Sequence, residues 1–328
     1  MKNRVLGSSG IEVTPLGYGC MGVSHAYGDA LPLDEARAVI RDAYDAGYRF
    51  FDTAPAYLGE TADGRVSNNE ALVGEALDDV KGEVVIATKF GVSINPDRSL
   101  NISSKPDEIR ATVERSLGYL GVDRIQLLYQ HRIDRSTEPE VVAATVSDLM
   151  DAGLVQAWGI SEVDEEYLRR AHAVCPVAAI ENRYSMVARW HASLFPTLEE
   201  LDIAYVAFSP MANGFLGGHF DQNLNFAKGD YRGDMPQYTP EGVERAKELV
   251  EYLNALAEAK GATPAQISLA WMLSEKPYII PIPGSRNPER MRENLAAADI
   301  VLTPEEVADI NARLDSMDLM VFGGHAGK

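Results

Sequence analysis

Three strand-like runs in this chain of 328 residues each close on a side chain able to ionise. Tyr48-Arg49-Phe50-Phe51 ends at Asp52 and is followed by the turn Thr53-Ala54-Pro55-Ala56, which carries Tyr57. Val84-Val85-Ile86-Ala87-Thr88 ends at Lys89, and Ile125-Gln126-Leu127-Leu128-Tyr129-Gln130 leads to His131. A carboxylate at the end of a buried strand is costly unless paired, and Lys89 is the obvious partner for Asp52. Together the four residues suit proton donation to an oxygen. A free tyrosine, with a pKa near ~10, is a poor acid at neutral pH. A neighbouring lysine cation is expected to lower that value, a carboxylate to hold the lysine, and a histidine to orient a carbonyl or share the proton. The set contains no reductant, so the electrons for any reduction must come from elsewhere. Singly, each residue has an ordinary reading as a helix cap, a packed ring or a solvated lysine. Recurrence at successive strand ends is what argues for a site.

The elements that must position these residues follow one repeating plan. Residues 4 to 14 alternate around Ser8-Ser9-Gly10, which predicts a small β-hairpin ahead of the main fold. A first core strand is expected near Leu16 to Met21, then a helix over Asp34–Ala46 with Gly47 as its stop. Helices are predicted after the other strands at Asn69–Asp79, Pro106–Leu120, Glu138–Ala152 and Asp164–Ala173. Further strands are read at 156–161, 177–182, 204–209 and 278–283, making eight in all. Sustained strand–helix alternation means a parallel sheet covered by helices, and eight units in this length fit a (β/α)8 barrel. No linker divides the chain, so residues 1–328 read as one domain. A long aperiodic loop after the seventh strand, about 212–238, has the length of a functional lid, and a tail follows Asp315. Reactive groups of such a barrel gather at the C-terminal ends of its strands, which brings Asp52, Tyr57, Lys89 and His131 to one mouth.

Composition excludes several classes. A net charge of -19 argues against nucleic-acid partners, and two cysteines, Cys20 and Cys175, are too few for a disulfide scaffold. The six histidines have no metal-ligand spacing, and no run is long enough to span a membrane. The N-terminus lacks an apolar leader-like run, so the expected setting is the cytoplasm, without metal or membrane.

Two stretches resemble cofactor signals. Gly17-Tyr18-Gly19-Cys20-Met21-Gly22 spells G-x-G-x-x-G, but it leads into the loop Val23 to Gly28 rather than into a helix. The acids at the right distance, Asp42 and Asp45, lie inside the next helix, so a Rossmann fingerprint is rejected. The second stretch, Ile282-Pro283-Gly284-Ser285-Arg286-Asn287-Pro288-Glu289-Arg290, places a loop and two arginines at a helix start, which suits a phosphate monoester.

With these residues in view, the chain resembles the aldo-keto reductase superfamily over nearly its whole length. The resemblance rests on Phe51-Asp52-Thr53-Ala54-Pro55-Ala56-Tyr57, Ala87-Thr88-Lys89-Phe90-Gly91, the run Leu120-Gly121-Val122-Asp123-Arg124-Ile125 leading to His131, Gly159-Ile160-Ser161, Asn182-Arg183-Tyr184-Ser185, Phe208-Ser209-Pro210 and Pro283-Gly284-Ser285-Arg286. It implies an NADPH-dependent reductase of aldehydes or ketones, with the tetrad Asp52, Tyr57, Lys89 and His131 and Tyr57 as general acid. It implies cofactor contacts from Met21, from Ser161, Glu162 and Glu181 around the carboxamide, and from Phe208 stacked on the nicotinamide. Ser209, Pro210, Met211, Gly214 and Leu216 would meet the pyrophosphate, and Gly284, Ser285, Arg286, Arg290, Glu293 and Asn294 the 2′-phosphate end. The chain departs from the common pattern at Glu162, Glu181 and Phe208; an ionised glutamate accepts from an amide but cannot donate to it. A cofactor-binding sensor without catalysis and an aldolase using Lys89 as a Schiff base are the alternatives, and a small carbonyl compound is the expected partner.

Overall fold

Alternation along each strand decides which side chains enter the barrel. The computed structural model describes residues 2–95, 99–218, 226 and 229–323. Its central sheet has eight parallel strands in sequence order: β1 (Tyr18–Gly19), β2 (Phe50–Asp52), β3 (Val85–Phe90), β4 (Ile125–Gln130), β5 (Val155–Ser161), β6 (Ala179–Arg183), β7 (Ala204–Phe208) and β8 (Ile279–Pro281). Phe50, Ala87, Leu127, Tyr129, Ala157, Ala179, Ala204, Val206 and Ile280 pack together inside the cylinder. The residues that alternate with them, Leu128, Trp158, Ile160, Ile180, Tyr205 and Ile279, face the surrounding helices instead. This period of two is a property of the pleat, and it fixes the direction of every residue further along the same strand.

The first and last strands meet at a seam made of glycine. Gly17 N–H donates to the Pro281 carbonyl at 2.9 Å. A Cβ on Gly19 would sit 2.9 Å from the Ile282 carbonyl, and one on Gly284 would sit 2.5 Å from the Gly19 carbonyl. Gly17 and Gly19 therefore belong to a close backbone approach. A short 3-10 turn, Cys20–Val23, follows them in place of a dinucleotide helix.

The helices match the sequence reading to within a residue or two at most ends: Leu33–Ala46, Pro106–Leu120, Pro139–Asp151 and Glu165–Val174. The first buries Ala36, Val39, Ile40 and Ala43 on one face and stops where Gly47 takes φ 115°. The helix expected over Asn69–Asp79 ends at Ala76 and tightens into a 3-10 segment, Asp78–Glu83. The N-terminal hairpin pairs Arg4–Val5 with Glu12–Val13, and its Leu6, Ile11 and Val13 join the inner cluster from below. Two further hairpins escape the sequence reading, Leu58–Glu60 with Val66–Asn68 and Val92–Ile94 with Leu100–Ile102. Their strands are short and largely exposed, so no run of apolar residues announces them.

The segment after β7 is partly ordered by 3-10 turns at Ala212–Gly217, Tyr231–Asp234 and Pro236–Tyr238; residues 219–225 and 227–228 lie outside the described residues. Asp230 forms an antiparallel bridge with Tyr27, so this segment touches the loop that leaves β1. After the helix Pro304–Ser316 the tail reaches back, and Phe322 N–H donates to Gln237 Oε1 at 2.8 Å. Residues 324–328 at the end of the tail lie outside the described residues.

Candidate active site

Asp52 continues the inward row begun by Phe50, Lys89 that begun by Ala87, and His131 that of Leu127 and Tyr129. All three are buried at the C-terminal end of the barrel. Lys89 Nζ donates to Asp52 Oδ1 at 2.6 Å and to the Thr53 carbonyl at 2.9 Å. The same ammonium lies 3.5 Å from Glu181 Oε2 and 5.1 Å from the centre of the Tyr57 ring. Tyr57 meets His131 edge-on, with ring centres 5.8 Å apart. Residues from β2, β3 and β4 thus converge on one mouth, as their strand positions require.

The turn that carries Tyr57 is pinned from behind. Asn69, fully buried at the start of its helix, accepts from Thr53 Oγ1 at 2.6 Å and donates to Ser24 Oγ at 2.6 Å. Ser24 Oγ in turn donates to the Tyr57 carbonyl at 2.9 Å. His25, on the same loop, stacks over the Tyr57 ring at 6.3 Å.

Two carboxyls compete for one ammonium. Burial pushes the Glu181 carboxyl up to about 8, reinforced by the charge of Asp52 and opposed by Lys89. Burial also pushes Asp52 upward, but Lys89 at 2.6 Å pulls the other way and makes Asp52 the ionised member. Glu181 therefore keeps its proton at neutral pH. Burial disfavours the Lys89 ammonium, yet the field of the ionised Asp52 beside it outweighs that penalty and holds the group charged. Asp52 Oδ2, Glu181 Oε2 and the Tyr129 hydroxyl are buried without a hydrogen-bond partner among the described residues. Burial drives the His131 imidazole well below its usual value, with Lys89, Arg132 and His25 adding to the effect, so it is neutral.

One expectation is overturned here. Lys89 was expected to make Tyr57 a stronger acid, but burial outweighs it and the phenol pKa rises above its ordinary value. The hydroxyl stays protonated in the resting site, and Lys89 only limits the rise.

The aldo/keto reductase family model matches residues 15–315. The chain belongs to the aldo-keto reductase family. Its barrel superposes on the glycerol dehydrogenase of Gluconobacter oxydans with a TM-score of 0.84, at 25% identity over 95% of both chains. It also matches a thermostable aldo-keto reductase solved with the inhibitor epalrestat, with a TM-score of 0.74 at 24% identity over 95% of this chain and 99% of that one. An aldo-keto reductase from Bacillus halodurans in its holo form gives a TM-score of 0.76 at 22% identity over 100% of both chains. The last two likenesses speak to the fold alone. Membership makes the chain an oxidoreductase that works with a nicotinamide cofactor.

The residues of this aldo-keto reductase that resemblance assigns to the cofactor line a path from β5 to the loop after β8. Ser161 Oγ donates to the Glu181 carbonyl at 2.8 Å and accepts from Arg132 at 3.2 Å. Glu162 adopts φ 53°, and its Oε1 accepts from the Arg183 backbone N–H at 2.9 Å. Phe208 is half-buried, Leu216 buried, and Ser209 and Gly214 take φ 51° and 98°. Pro210 and Met211 join them at the end of β7, and Met21 lies in the turn after β1. At the far end Arg286 donates to the Gly22 carbonyl at 2.6 Å and to the Asp29 carbonyl at 3.3 Å. Ser285 Oγ accepts from Asn287 N–H at 3.1 Å, Asn294 is buried, and Gly284 and Arg290 are exposed. Glu293 is occupied by Thr263 at 2.6 Å. A dinucleotide fits this donor set: buried Glu181 Oε2, without a hydrogen bond among the described residues, lies at one end, and two arginines flank a helix start at the other.

Parity also exposes a residue that sequence reading passed over. Arg183 is two places beyond Glu181 and so ends the same inward row. Its guanidinium lies 4.9 Å from the Phe208 ring centre and 5.5 Å from that of Phe322. The missing signal was the direction of Glu181, which only the ladder of β6 supplies.

Proposed function

We infer that this chain is an NADPH-dependent reductase of aldehydes or ketones, with residues 1–328 acting as one unit in the cytoplasm on a small carbonyl compound. The observation that carries the reading is the buried Lys89–Asp52 pair at 2.6 Å beneath the Tyr57 ring, with His131 edge-on beside it. When bound, the nicotinamide supplies the hydride. Tyr57 donates the proton to the carbonyl oxygen as charge builds there, and the Lys89 ammonium stabilises the phenolate it leaves. Asp52 fixes the ammonium. Neutral His131 offers its remaining N–H to orient the carbonyl. A phenol that remains protonated at rest is ready for this step at neutral pH. Among the described residues both cysteines are free and buried, and no helix is long and apolar enough to cross a membrane.

Ser161, Glu162, Glu181 and Phe208 would hold the nicotinamide end, and Ser285, Arg286 and Arg290 the phosphate end. Preference for NADPH over NADH is supported by two arginines beside a helix start in a chain of net charge -19. The aldolase alternative requires a neutral Lys89, whereas the ionised Asp52 at 2.6 Å holds it as an ammonium. The test is Tyr57→Phe: carbonyl reduction is expected to fall by ~10²–10⁴-fold with NADPH binding retained. Near-normal turnover removes the tyrosine from the mechanism.

A further inference from the structure

Across the helical surface, arginines are neutralised. Arg37, Arg41, Arg169, Arg170, Arg245 and Arg313 each contact a carboxylate. With 49 acidic residues against 30 basic ones, that is the expected fate of a cation in this chain. Arg183 departs from it. Among the described residues its buried Nη1 has no hydrogen-bond partner and its guanidinium joins no ion pair. Glu162 turns its carboxylate to the Arg183 backbone N–H instead. Arg132, just past the end of β4, adds a second guanidinium, which bonds the His131 carbonyl at 2.6 Å and Ser161 Oγ at 3.2 Å. Among the described residues it too joins no ion pair.

A buried guanidinium N–H without an acceptor is costly, and a ligand carrying the acceptor relieves that cost. The place matters as much as the charge. Arg183 is the outermost inward residue of β6, beside Phe208 on β7, and Arg132 directly follows His131. Gly323 of the tail approaches so closely that a Cβ there would lie 3.1 Å from Arg183 Nε, and Phe322 covers the guanidinium face. The planar fork of an arginine, flanked by two aromatic rings, matches a carboxylate rather than a neutral group.

We propose that Arg183, supported by Arg132, anchors a carboxylate on the substrate, so that the chain acts on carbonyl compounds that carry a second, anionic end. The inference rests on the reductase reading above. The carbonyl end of such a molecule lies at Tyr57 and His131, and its carboxylate lies under the tail at Arg183. The other anion that could satisfy these arginines is a phosphate of the cofactor, and the experiment separates the two.

The wild type, Arg183→Met and Arg183→Lys are assayed with 4-oxobutanoate and with its neutral counterpart butanal. NADPH dissociation constants are measured in parallel, together with calorimetric titration of succinate, which has no carbonyl to reduce. The expected result is a wild-type preference for the acid that falls about ten- to a hundredfold in Arg183→Met, through KM. Butanal turnover and NADPH affinity stay within about twofold, succinate binding is lost, and Arg183→Lys recovers part of the preference. Equal losses for both aldehydes in a variant that still melts like the wild type overturn the proposal, and so does weakened NADPH binding. Absence of any acid preference in the wild type does the same. If neither aldehyde is turned over, the reductase reading fails for these compounds, and the succinate titration alone decides: binding that depends on Arg183 upholds the anion site, and no binding overturns it.

Discussion

The two ends of the barrel are built on opposite principles. At the N-terminal end the hairpin drives Leu6, Ile11 and Val13 into a layer of Phe50, Leu127 and Ala157, all buried. Its backbone is tied down by Ser8 N–H to the Asp202 carbonyl at 3.0 Å, and Arg4 reaches the Leu273 and Lys276 carbonyls. At the C-terminal end three buried oxygens near Lys89 have no hydrogen-bond partner among the described residues, and Glu162, Ser209, Ala212 and Asn213 hold left-handed backbone without being glycine, whereas beside the hairpin Asp202 does so. Such conformations cost roughly 1–3 kcal/mol each. One end is therefore closed and largely saturated, and the other is left polar and more strained. Stability gathered at the first is what tolerates the second.

If that division is real, substitutions at the two ends should fail in different ways. The largest effect is expected from Tyr57→Phe, with reduction down by ~10²–10⁴-fold and the melting temperature nearly unchanged. Leu6→Ala should do the reverse, losing about 2–5 kcal/mol of stability in urea unfolding while turnover at room temperature is preserved. A comparable loss of turnover in Leu6→Ala would erase the distinction between the ends.

Glu181→Gln sharpens it through pH. The Glu181 carboxyl titrates near 4.3 when unfolded and is pushed up to about 8 in the fold. A group raised in this way contributes stability that is complete below its unfolded value and is lost as pH climbs through the folded one. The wild type should therefore weaken relative to Glu181→Gln between about pH 5 and pH 9, by roughly a few kcal/mol. Parallel unfolding curves at the two limits check it, and a constant difference would mean that Glu181 is already ionised. The smallest effect is expected from Arg286→Ala, which should weaken NADPH by about ten- to a hundredfold and leave NADH almost untouched. Equal weakening of both would assign Arg286 to the contact with Gly22 and Asp29 instead of to the 2′-phosphate.

The fold was legible because its signals are local. Gly47 stops its helix, and apolar spacing marks Leu33–Ala46 as amphipathic. Asp52, Lys89 and His131 were legible for the same reason, as the last polar residues of apolar runs. The rest depends on what lies opposite. Whether Tyr57 is acidified turns on the balance of burial against Lys89, which no spacing encodes. Arg183 looks like any arginine at a strand end until β6 fixes its parity and its Nη1 is found without an acceptor among the described residues. Arg286 reads as a phosphate ligand in sequence, yet two carbonyls of the loop after β1 already hold it.

The glycine seam between β1 and the β8 loop bears on how a complete substitution survey of this chain should be interpreted. Positions 17, 19 and 284 admit no Cβ without displacing a side chain or a carbonyl, so every replacement there should be depleted as severely as changes at Tyr57. A fitness score alone would class them with the proton donor and, through the letters G-x-G-x-x-G, with nucleotide binding. Scoring abundance separately from turnover pulls the groups apart: seam variants should vanish from the folded pool, whereas Tyr57 variants should accumulate there as intact, silent protein.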